Sequence, residues 1–360
     1  MEELWFKEAF RGELPDGFHG GTSWQSPSNI ALVKYWGKKG KQLPQNPSIS
    51  FTLKNCRTET AVFYEKSDHF GLDFSFEGKP HPAFQSKVEQ FLLDQRAFFP
   101  FLDQLELRIQ SRNTFPHSSG IASSASSMSA LVMCLLDIES MAKGVSDIDL
   151  RKASCFSRLA SGSACRSVFP KMALWGVTEA VNESSDEYAV SLEQEIAPVF
   201  ADFRDSILIV NEAPKEVSSR AGHALMDKNP YAATRYAVAK QNTATLLEAL
   251  RTGDIEAFIR ITESEAMQLH ALMMCSDPSY ILIKPNTLNI IESLRVFREE
   301  MGIPLCFTLD AGPNVHILYP MQYAEMVERF IMDELETYCV GGQWIQDQVG
   351  EGASRFQYRP

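Results

Sequence analysis

Apolar positions in the first third of the chain alternate with polar ones and predict several β-strands before any long helix. Residues 30–33 form an uninterrupted apolar run, as in a buried strand, and residues 48–53 alternate with a period of two. The same alternation returns at residues 72–76 and 105–109. These four segments therefore predict a sheet in this part of the chain.

Helical spacing appears next, and it begins just after Gly120. The apolar stripe of this first long helix, at spacings of four and three, consists of Ile121, Ala125, Met128, Val132 and Leu135. A second helix is predicted at 147–160. Further along, the pattern predicts helices at 221–249, 253–275, 287–300 and 321–338 and strands at 207–210, 304–309 and 314–319. We therefore predict an α+β fold, with mixed sheets and helices packed on one face.

Breaks in this pattern predict how the chain is divided. The first 25 residues carry Gly, Pro, Asp and Thr without a clear period, so we expect regular structure to start near Ser28. A polar, acidic stretch at 182–187 is typical of a surface loop, and a new buried strand follows it. The predicted division is an N-terminal extension (1–25), an N-terminal domain (26–203) and a C-terminal domain (204–360).

The composition fits a globular protein large enough for two domains, with 360 residues, 44% hydrophobic and 22% charged. The net charge of −12 disfavours binding to nucleic acid or to an anionic membrane, because most of the surface would repel a polyanion. A small phosphorylated ligand remains compatible, since it needs only a local cluster of Lys and Arg.

Two features lead us to expect a cytoplasmic protein. The N-terminus lacks the basic start and apolar run of a signal peptide, and the sequence has no stretch of 18 apolar residues.

The seven cysteines are an odd number without a CxxC pair, so we predict buried free thiols rather than disulfides or a zinc site.

The segment 113–127 is the most informative stretch, because small residues lead there into a predicted helix N-terminus. Unpaired backbone N–H groups and the helix dipole attract phosphate at such a point, and Ser hydroxyls suit a phosphate oxygen or Mg²⁺. The structural alternative is a Ser-rich N-cap followed by a tightly packed Ala/Ser helix. The pattern is not a Walker loop, since no Gly-Lys-Ser or Gly-Lys-Thr follows.

Three other segments carry candidate chemistry. Residues 29–38 take a buried strand into a group of Lys, Tyr and Trp, which delivers cations to the mouth of a cleft, although lysines after a strand are often only solvated. In 161–167, short residues surround Arg166, whose planar fork pairs well with a carboxylate; the alternative is a tight turn with a surface Arg. In 308–315, Asp310 follows an apolar strand and precedes Ala-Gly-Pro, where it is either a site carboxylate or a turn former.

Together these segments resemble the diphosphomevalonate decarboxylase branch of the GHMP kinase superfamily. The Ser-rich loop is similar to the superfamily motif P-x-x-x-G-L-x-S-S-A, with Ala122 where its kinases usually carry Gly. The others resemble the family's N-I-A-x-x-K-Y-W-G-K, S-G-S-A-C-R-S and T-x-D-A-G-P-N, and all four occur in the family's order. Residues 215–222 match more loosely. The departures are the 25-residue lead, Ser26-Pro27-Ser28 in place of A-P-V, and Asn46-Pro47-Ser48 in place of N-S-S.

The resemblance implies a two-domain GHMP-type fold with the active site in a cleft between the domains, and ATP-dependent decarboxylation of mevalonate diphosphate to isopentenyl diphosphate. It implies ATP as co-substrate, Mg²⁺ as cofactor and a homodimer. The implied catalytic residues are Asp310, Arg166, Lys34 and Ser219. The implied substrate-binding residues are Asn29, Tyr35, Lys38, Ser161, Gly162, Ser163, Arg166 and Arg220. The implied ATP-binding residues are Pro116, Ser118, Ser119, Gly120, Ala122, Ser123 and Ser124, with Ser124 also a candidate Mg²⁺ ligand.

Three other functions stay open on the sequence. A GHMP small-molecule kinase would release a stable phosphorylated product, and Ala122 together with the segment around Arg166 argues against it. A decarboxylase acting on mevalonate 5-phosphate would differ only in the residues that bind the second phosphate of the diphosphate. The positive charges of Lys34, Lys38 and Arg220 favour the diphosphate. A catalytically silent sensor of phosphorylated metabolites is disfavoured, because Asp310, Arg166 and the phosphate loop are all present.

Overall fold

Two main β-sheets and the helices packed on them form the architecture, and the computed structural model describes residues 2–116, 121–213 and 217–358. The helices are α1 Glu2–Glu8, α2 Pro82–Asp94, α3 Ser123–Lys143, α4 Leu150–Ala160, α5 Pro198–Ala201, α6 Ser219–Leu225, α7 Ala232–Thr252, α8 Ile255–Met274, α9 Pro285–Met301 and α10 Ala324–Phe330. The strands are β1 His19–Ala31, β2 Lys38–Lys39, β3 Leu43–Pro44, β4 Ser48–Lys66, β5 Gly71–Phe76, β6 Lys79–Pro80, β7 Leu105–Asn113, β8 Met172–Trp175, β9 Ala189–Ser191, β10 Arg204–Leu208, β11 Cys306–Leu309, β12 Val315–Tyr319, β13 Trp344–Gln348 and β14 Ser354–Arg355.

The larger sheet, within the described residues, has the strand order β14-β1-β4-β7-β5-β6, and β8 and β9 extend it from β4. Only the β5–β7 pair is parallel among these described pairs. The long strand β4 pairs with β8 through its first residues and with β7 through its last, so one strand serves two parts of the sheet. Helix α3 packs on β1 and β4, and α4 packs on α3. The Ser28 hydroxyl near the end of β1 donates to the Ile121 carbonyl just before α3, so the start of α3 lies beside the end of β1.

The smaller sheet is antiparallel throughout, in the order β11-β12-β10-β13 over the described chain, with α8 and α9 packed against β11. A shared hydrophobic core joins it to the first half of the protein. In that core Leu32 and Phe51 lie with Ile207, Leu246 and Phe258, all of them buried. The predicted α+β class with helices on the sheets is therefore confirmed, while the boundary near residue 203 stays a prediction.

The first residues of the chain differ from the prediction. Regular structure does not start near Ser28: helix α1 begins at Glu2 and β1 begins at His19. The indole of Trp5 is fully buried, with its ring centroid 6.0 Å from that of Phe156 on α4. The prediction was wrong because α1 is only seven residues long, too short to show a helical period. The start of the chain thus packs on the N-terminal core through Trp5 and Leu14.

Other elements match the predicted positions with shifted ends. Helix α3 begins at Ser123, slightly later than expected. The single helix predicted at 321–338 is instead a series of short pieces: α10 continues into a π-helical segment, Ile331–Leu335, and short 3₁₀ turns lie on either side. The single helix predicted at 221–249 is also wrong, because the chain forms α6, a 3₁₀ turn and α7 there, with a break at residues 229–231. Helix α2 and the strands β8, β9 and β13 were not predicted.

Six of the seven cysteines are the buried free thiols that the sequence predicts, whereas Cys275 is free but exposed. Within the described residues one helix, α3, has the length and apolar composition of a membrane span, but 78% of its apolar window is buried inside the protein. That degree of burial is typical of a core helix in a globular protein.

Candidate active site

Lys34 lies three residues after the end of β1 and is almost completely buried, with 1% of its surface exposed. Its ammonium group donates to the carbonyl of Ala31 at 2.6 Å, and its backbone N–H donates to Glu265 at 2.8 Å. Burial lowers the pKa of Lys34 to about 8, while the nearby carboxylates of Asp310 and Glu265 act in the opposite direction. The side chain is therefore a buried cation within electrostatic range of the predicted catalytic Asp.

Arg166 ends the 3₁₀ turn Gly162–Arg166 that follows α4, and only 2% of its surface is exposed. Its Nη1 donates to the hydroxyl of Ser48 at 2.8 Å, and its Nε donates to the Asn29 side-chain oxygen at 3.3 Å. Asn29 in turn donates to the Ser167 hydroxyl at 2.8 Å and to the Ser163 carbonyl. The guanidinium is thus held in a fixed orientation by neutral partners, which leaves its charge available to an anion.

Asp310 follows β11 directly and is partly exposed. Lys34, Arg166 and His223 all lie within electrostatic range of its carboxylate. Its backbone carbonyl accepts from Gly312 at 2.7 Å and lies 3.1 Å from His270 Nε2. The fold therefore brings the carboxylate and the two buried cations predicted from separate motifs into one site.

Aromatic rings surround the end of the 29–38 segment. The Tyr35 ring lies 4.6 Å from that of Trp175 and 4.4 Å from His223, and Trp36 lies 4.6 Å from the same histidine. The Gly37 backbone N–H donates to His223 Nδ1 at 2.9 Å, so this ring is neutral with its hydrogen on Nε2. Burial lowers the pKa of His223 to about 3, in agreement with that state. His223, which the sequence did not single out, attaches α6 to the predicted substrate segment.

The loop predicted to bind ATP is described only at its two ends, since Ser118, Ser119 and Gly120 lie outside the described residues. After the gap, Ala122 takes the left-handed conformation at φ 46°, which an alanine adopts only at a cost. Ser123 opens α3, and the Ser124 hydroxyl lies 2.9 Å from that of Ser161. The N-terminus of a 21-residue helix therefore faces the loop that carries Arg166.

The donor groups here fit a phosphate better than a protein-bound metal. The described residues contain no group of three or more His, Cys, Asp or Glu side chains that could hold a metal ion. The Ser123 and Ser124 hydroxyls and the first N–H groups of α3 suit phosphate oxygens. Mg²⁺ fits this arrangement as an ion carried by the nucleotide phosphates, with a serine such as Ser124 as its protein ligand.

The second-domain segment is described in part. Ser219 opens α6 with its side chain exposed, and the Ser218 hydroxyl caps the helix by accepting from the Ala221 N–H at 3.2 Å. The structure does not describe residues 214–216 or the side chain of Arg220. Ser219 is four residues before His223 and therefore on the same face of α6. Helix α6 thus lies beside Tyr35 and Trp36, while the catalytic role of Ser219 stays a prediction.

Tyr35 and Gly162 meet closely at the centre of the site. The Tyr35 hydroxyl is buried and has no hydrogen-bond partner among the described residues. A Cβ added to Gly162 would lie 2.8 Å from that hydroxyl. A buried hydroxyl without a partner is costly unless a ligand supplies one, so we interpret it as a group that meets the substrate.

We expect Gly162→Ala to disturb this contact. The added methyl group must displace the Tyr35 phenol or the turn that carries Arg166, and a misplacement of about 1 Å can cost ~10²-fold in rate. Steady-state kinetics should show at least ~10-fold lower kcat/KM with unchanged folding by circular dichroism. The control is Gly78→Ala, at an exposed turn with open space around its Cα. Because Gly78 has a φ of +75°, the alanine strains this turn locally and lowers stability, but the variant should keep its kcat/KM. Equal kinetics for the two variants would remove Tyr35 and Gly162 from the site.

Several buried or partly buried polar residues of the site were not predicted from the sequence. They are Ser48, His223, Arg235, Asn242, Glu265 and His270. The only available signal was the presence of Glu265 and His270 on the apolar face of α8, where each is almost fully buried. A charged residue on a buried helix face implies a specific partner, but periodicity does not say which one.

Comparisons with known proteins find matches over both halves of the chain. Residues 26–189 match the diphosphomevalonate decarboxylase-like N-terminal domain, and residues 206–353 match the mevalonate 5-diphosphate decarboxylase C-terminal domain. A diphosphomevalonate decarboxylase from Ganoderma lucidum is 32% identical to this chain over an alignment of 366 positions. The alignment covers 93% of this chain and 89% of that protein.

Solved structures show the same similarity over nearly the whole chain. A mevalonate diphosphate decarboxylase from Staphylococcus aureus matches with a TM-score of 0.81 at 27% identity, covering 94% of this chain and 99% of that one. A structure described as MDDEF in complex with MVAPP, AMPPCP and magnesium matches with a TM-score of 0.79 at 28% identity, covering 94% and 100%. The GHMP-type fold implied by the motifs is confirmed.

Proposed function

Because this chain belongs to the diphosphomevalonate decarboxylase family, we propose that it uses ATP and Mg²⁺ to convert mevalonate 5-diphosphate into isopentenyl diphosphate, ADP, phosphate and CO₂. The observation that carries the proposal is the convergence of Lys34 and Arg166, both buried, on Asp310. The reaction develops charge at the C3 oxygen of the substrate and starts from a negative charge at its C1 carboxylate. It therefore requires a carboxylate and a cation at the first position and a second cation at the other.

The substrate's chemistry explains why ATP is needed. Mevalonate diphosphate has a tertiary alcohol at C3 and a carboxylate at C1, but it has no carbonyl to stabilise a carbanion at C2. The C3 oxygen attacks the γ-phosphorus of ATP and ADP leaves. The C3–O bond then breaks with loss of phosphate, and the electrons of the C1–C2 bond form the C2=C3 double bond as CO₂ departs. Phosphorylation therefore converts a poor leaving group into a good one.

We assign Asp310 to the C3 hydroxyl. A partly exposed carboxylate at a strand end, with buried cations near it, is able to orient this hydroxyl and accept its proton as the oxygen attacks. Lys34 contributes positive charge near the transferring phosphoryl group, where charge develops in the transition state. Ser219, on the helix beside Tyr35, is assigned to the same end of the site.

The other residues that we assign to substrate binding follow from the same arrangement. Arg166 pairs with the C1 carboxylate, and its neutral partners Asn29 and Ser48 hold it without taking up its charge. Ser161, Gly162 and Ser163 line the pocket for the body of the substrate. The diphosphate is assigned to Tyr35, Lys38 and Arg220.

The nucleotide is assigned to the loop and helix start of α3. The backbone N–H groups there and the hydroxyls of Ser123 and Ser124 hold phosphate oxygens, together with Pro116, Ser118, Ser119, Gly120 and Ala122 around them. Mg²⁺, when bound with ATP, neutralises charge on the β- and γ-phosphates.

We also propose that the protein works in the cytoplasm as a homodimer. Its seven free cysteines support a reducing compartment, and the dimer rests on the family resemblance alone. Light scattering of the purified protein tests the dimer, since a monomer mass would contradict it.

Specificity for the diphosphate is tested with three substrates. Purified protein with Mg-ATP is offered mevalonate, its 5-phosphate and its 5-diphosphate, and ADP and CO₂ are followed together. We expect the 5-diphosphate to give the highest kcat/KM. A higher kcat/KM for the 5-phosphate would reassign Lys38 and Arg220, and ADP without CO₂ on every substrate would make the protein a kinase.

The pKa of Lys34 leads to a prediction for the pH profile. Since the free enzyme's Lys34 loses its proton at a pKa of about 8 and the charged form is the active one, kcat/KM should fall as the pH rises through that value. Initial rates between pH 6.5 and 9.5 measure this alkaline limb. Lys34→Met should be slow and should lack the limb. A limb that persists unchanged in Lys34→Met would assign it to another group.

A further inference from the structure

Glu265 is a fully buried carboxylate with four hydrogen bonds from charged or amide donors. It lies on α8 and accepts the Lys34 backbone N–H at 2.8 Å. From the neighbouring helix α7, Arg235 donates through both terminal nitrogens, one of them 3.0 Å from Oε1, and the Asn242 amide donates at 2.6 Å. A buried carboxylate is tolerated only when it is paired in this way. The pairing ties the Lys34 backbone to two helices of the C-terminal half.

The same helix also contacts the other end of the site. His270 lies five residues after Glu265, and its Nε2 is 3.1 Å from the Asp310 backbone oxygen. A carbonyl only accepts hydrogen bonds, so Nε2 is the donor. Five residues advance about 7.5 Å along a helix, so α8 fixes the distance between its contact with Lys34 and its contact with Asp310. Lys34 and Asp310 come from opposite ends of the sequence, and α8 holds the backbone of both.

We infer that Glu265 is a positioning residue for phosphoryl transfer, one that fixes Lys34 relative to Asp310 through α8. The inference rests on the proposed function. The carboxylate acts in two ways: its hydrogen bond sets the position of the Lys34 backbone, and its negative charge favours the charged form of the Lys34 ammonium. The carboxylate of Asp310 acts in the same sense, and the guanidinium groups of Arg166 and Arg235 act in the opposite sense. A residue that merely fills the core would affect folding but neither kcat nor the pH profile of the folded enzyme.

Two variants separate these effects. Glu265→Gln keeps the size but removes the negative charge and one of the two acceptor oxygens that hold Lys34, Arg235 and Asn242. We therefore expect the alkaline limb of kcat/KM to move to lower pH and kcat to fall ~10-fold or more, with KM for mevalonate diphosphate within ~3-fold. The double variant Glu265→Leu with Arg235→Met removes the pair and the acceptor together, an exchange that buried ion pairs often tolerate in folding. It should lower kcat by at least ~10-fold and keep the limb near its original pH.

A matched control is available at a second buried ion pair. Glu139, near the end of α3, pairs with Lys152 at 2.5 Å and is similarly buried. Its position sixteen residues beyond Ser123 places it about 24 Å along the helix from the site. Glu139→Gln should lower the unfolding midpoint and leave kcat and the pH limb unchanged.

Wild-type CO₂ release is measured first, so that two failures stay distinct. A wild type that releases no CO₂ overturns the proposed function. An active wild type, with kcat and pH limb unchanged in folded Glu265→Gln, overturns the positioning inference alone. Where Glu265→Gln does not fold, the double variant decides: wild-type kcat overturns the inference and a reduced kcat supports it.

Discussion

Asp310→Asn should lower kcat for CO₂ release by at least ~10³-fold. The amide keeps the size of the side chain and leaves the backbone contacts to Gly312 and His270 intact, but it cannot accept the C3 hydroxyl proton. Since the carboxylate acts mainly in the transition state, the dissociation constants for mevalonate diphosphate and ATP should change by only a few-fold. Quenched-flow measurement of ADP formation and calorimetric titration of each ligand give the two quantities.

The control for this variant is Asp333→Asn, an exposed aspartate in the C-terminal half. It should retain full turnover. Near-wild-type kcat in Asp310→Asn would remove Asp310 from the mechanism. Loss of ligand binding in that variant would instead assign it a role in the ground state.

Trp5→Ala should cost ~3–5 kcal/mol in the free energy of unfolding, the range measured for large aromatic side chains removed from a core. Trp5 is 0% exposed and packs on Phe156 of α4, the helix that leads into the turn of Arg166. Urea titration followed by far-ultraviolet circular dichroism measures the midpoint and the free energy of unfolding.

Leu4→Ala is the matched control for Trp5, because Leu4 lies on the same short helix but is 48% exposed. Its midpoint should stay within the error of the wild type. Equal midpoints for all three proteins would show that residues 4–18 do not stabilise the core, and would return them to the role of an extension.

The motifs predicted which three side chains lie near one another because each motif is a local rule with a chemical reason. A strand end with lysines, a short turn with one arginine and a strand end with an aspartate were all legible in the sequence, and the fold places Lys34, Arg166 and Asp310 within electrostatic range of one another. The strands and long helices followed from periods of two and of three to four. Such patterns depend only on which face of an element is buried.

What the sequence did not reveal depends on contacts between distant residues. Helix α1 is too short to show a period, and its burial depends on Phe156, which is 151 positions away. His223 and Glu265 are polar residues on otherwise ordinary helices, and they acquire a role only through the backbones of Gly37 and Lys34. No local rule predicts a partner of this kind, because the pairing follows from how the two halves pack.

The most direct test of the decarboxylase assignment is the ratio of CO₂ to ADP from mevalonate diphosphate labelled at C1. The purified wild type, with Mg-ATP in excess, is assayed for both products in the same reaction mixture. Phosphorylation-driven decarboxylation predicts one CO₂ for each ADP and no CO₂ when ATP is left out. ADP released without CO₂, or CO₂ released without ATP, would contradict it.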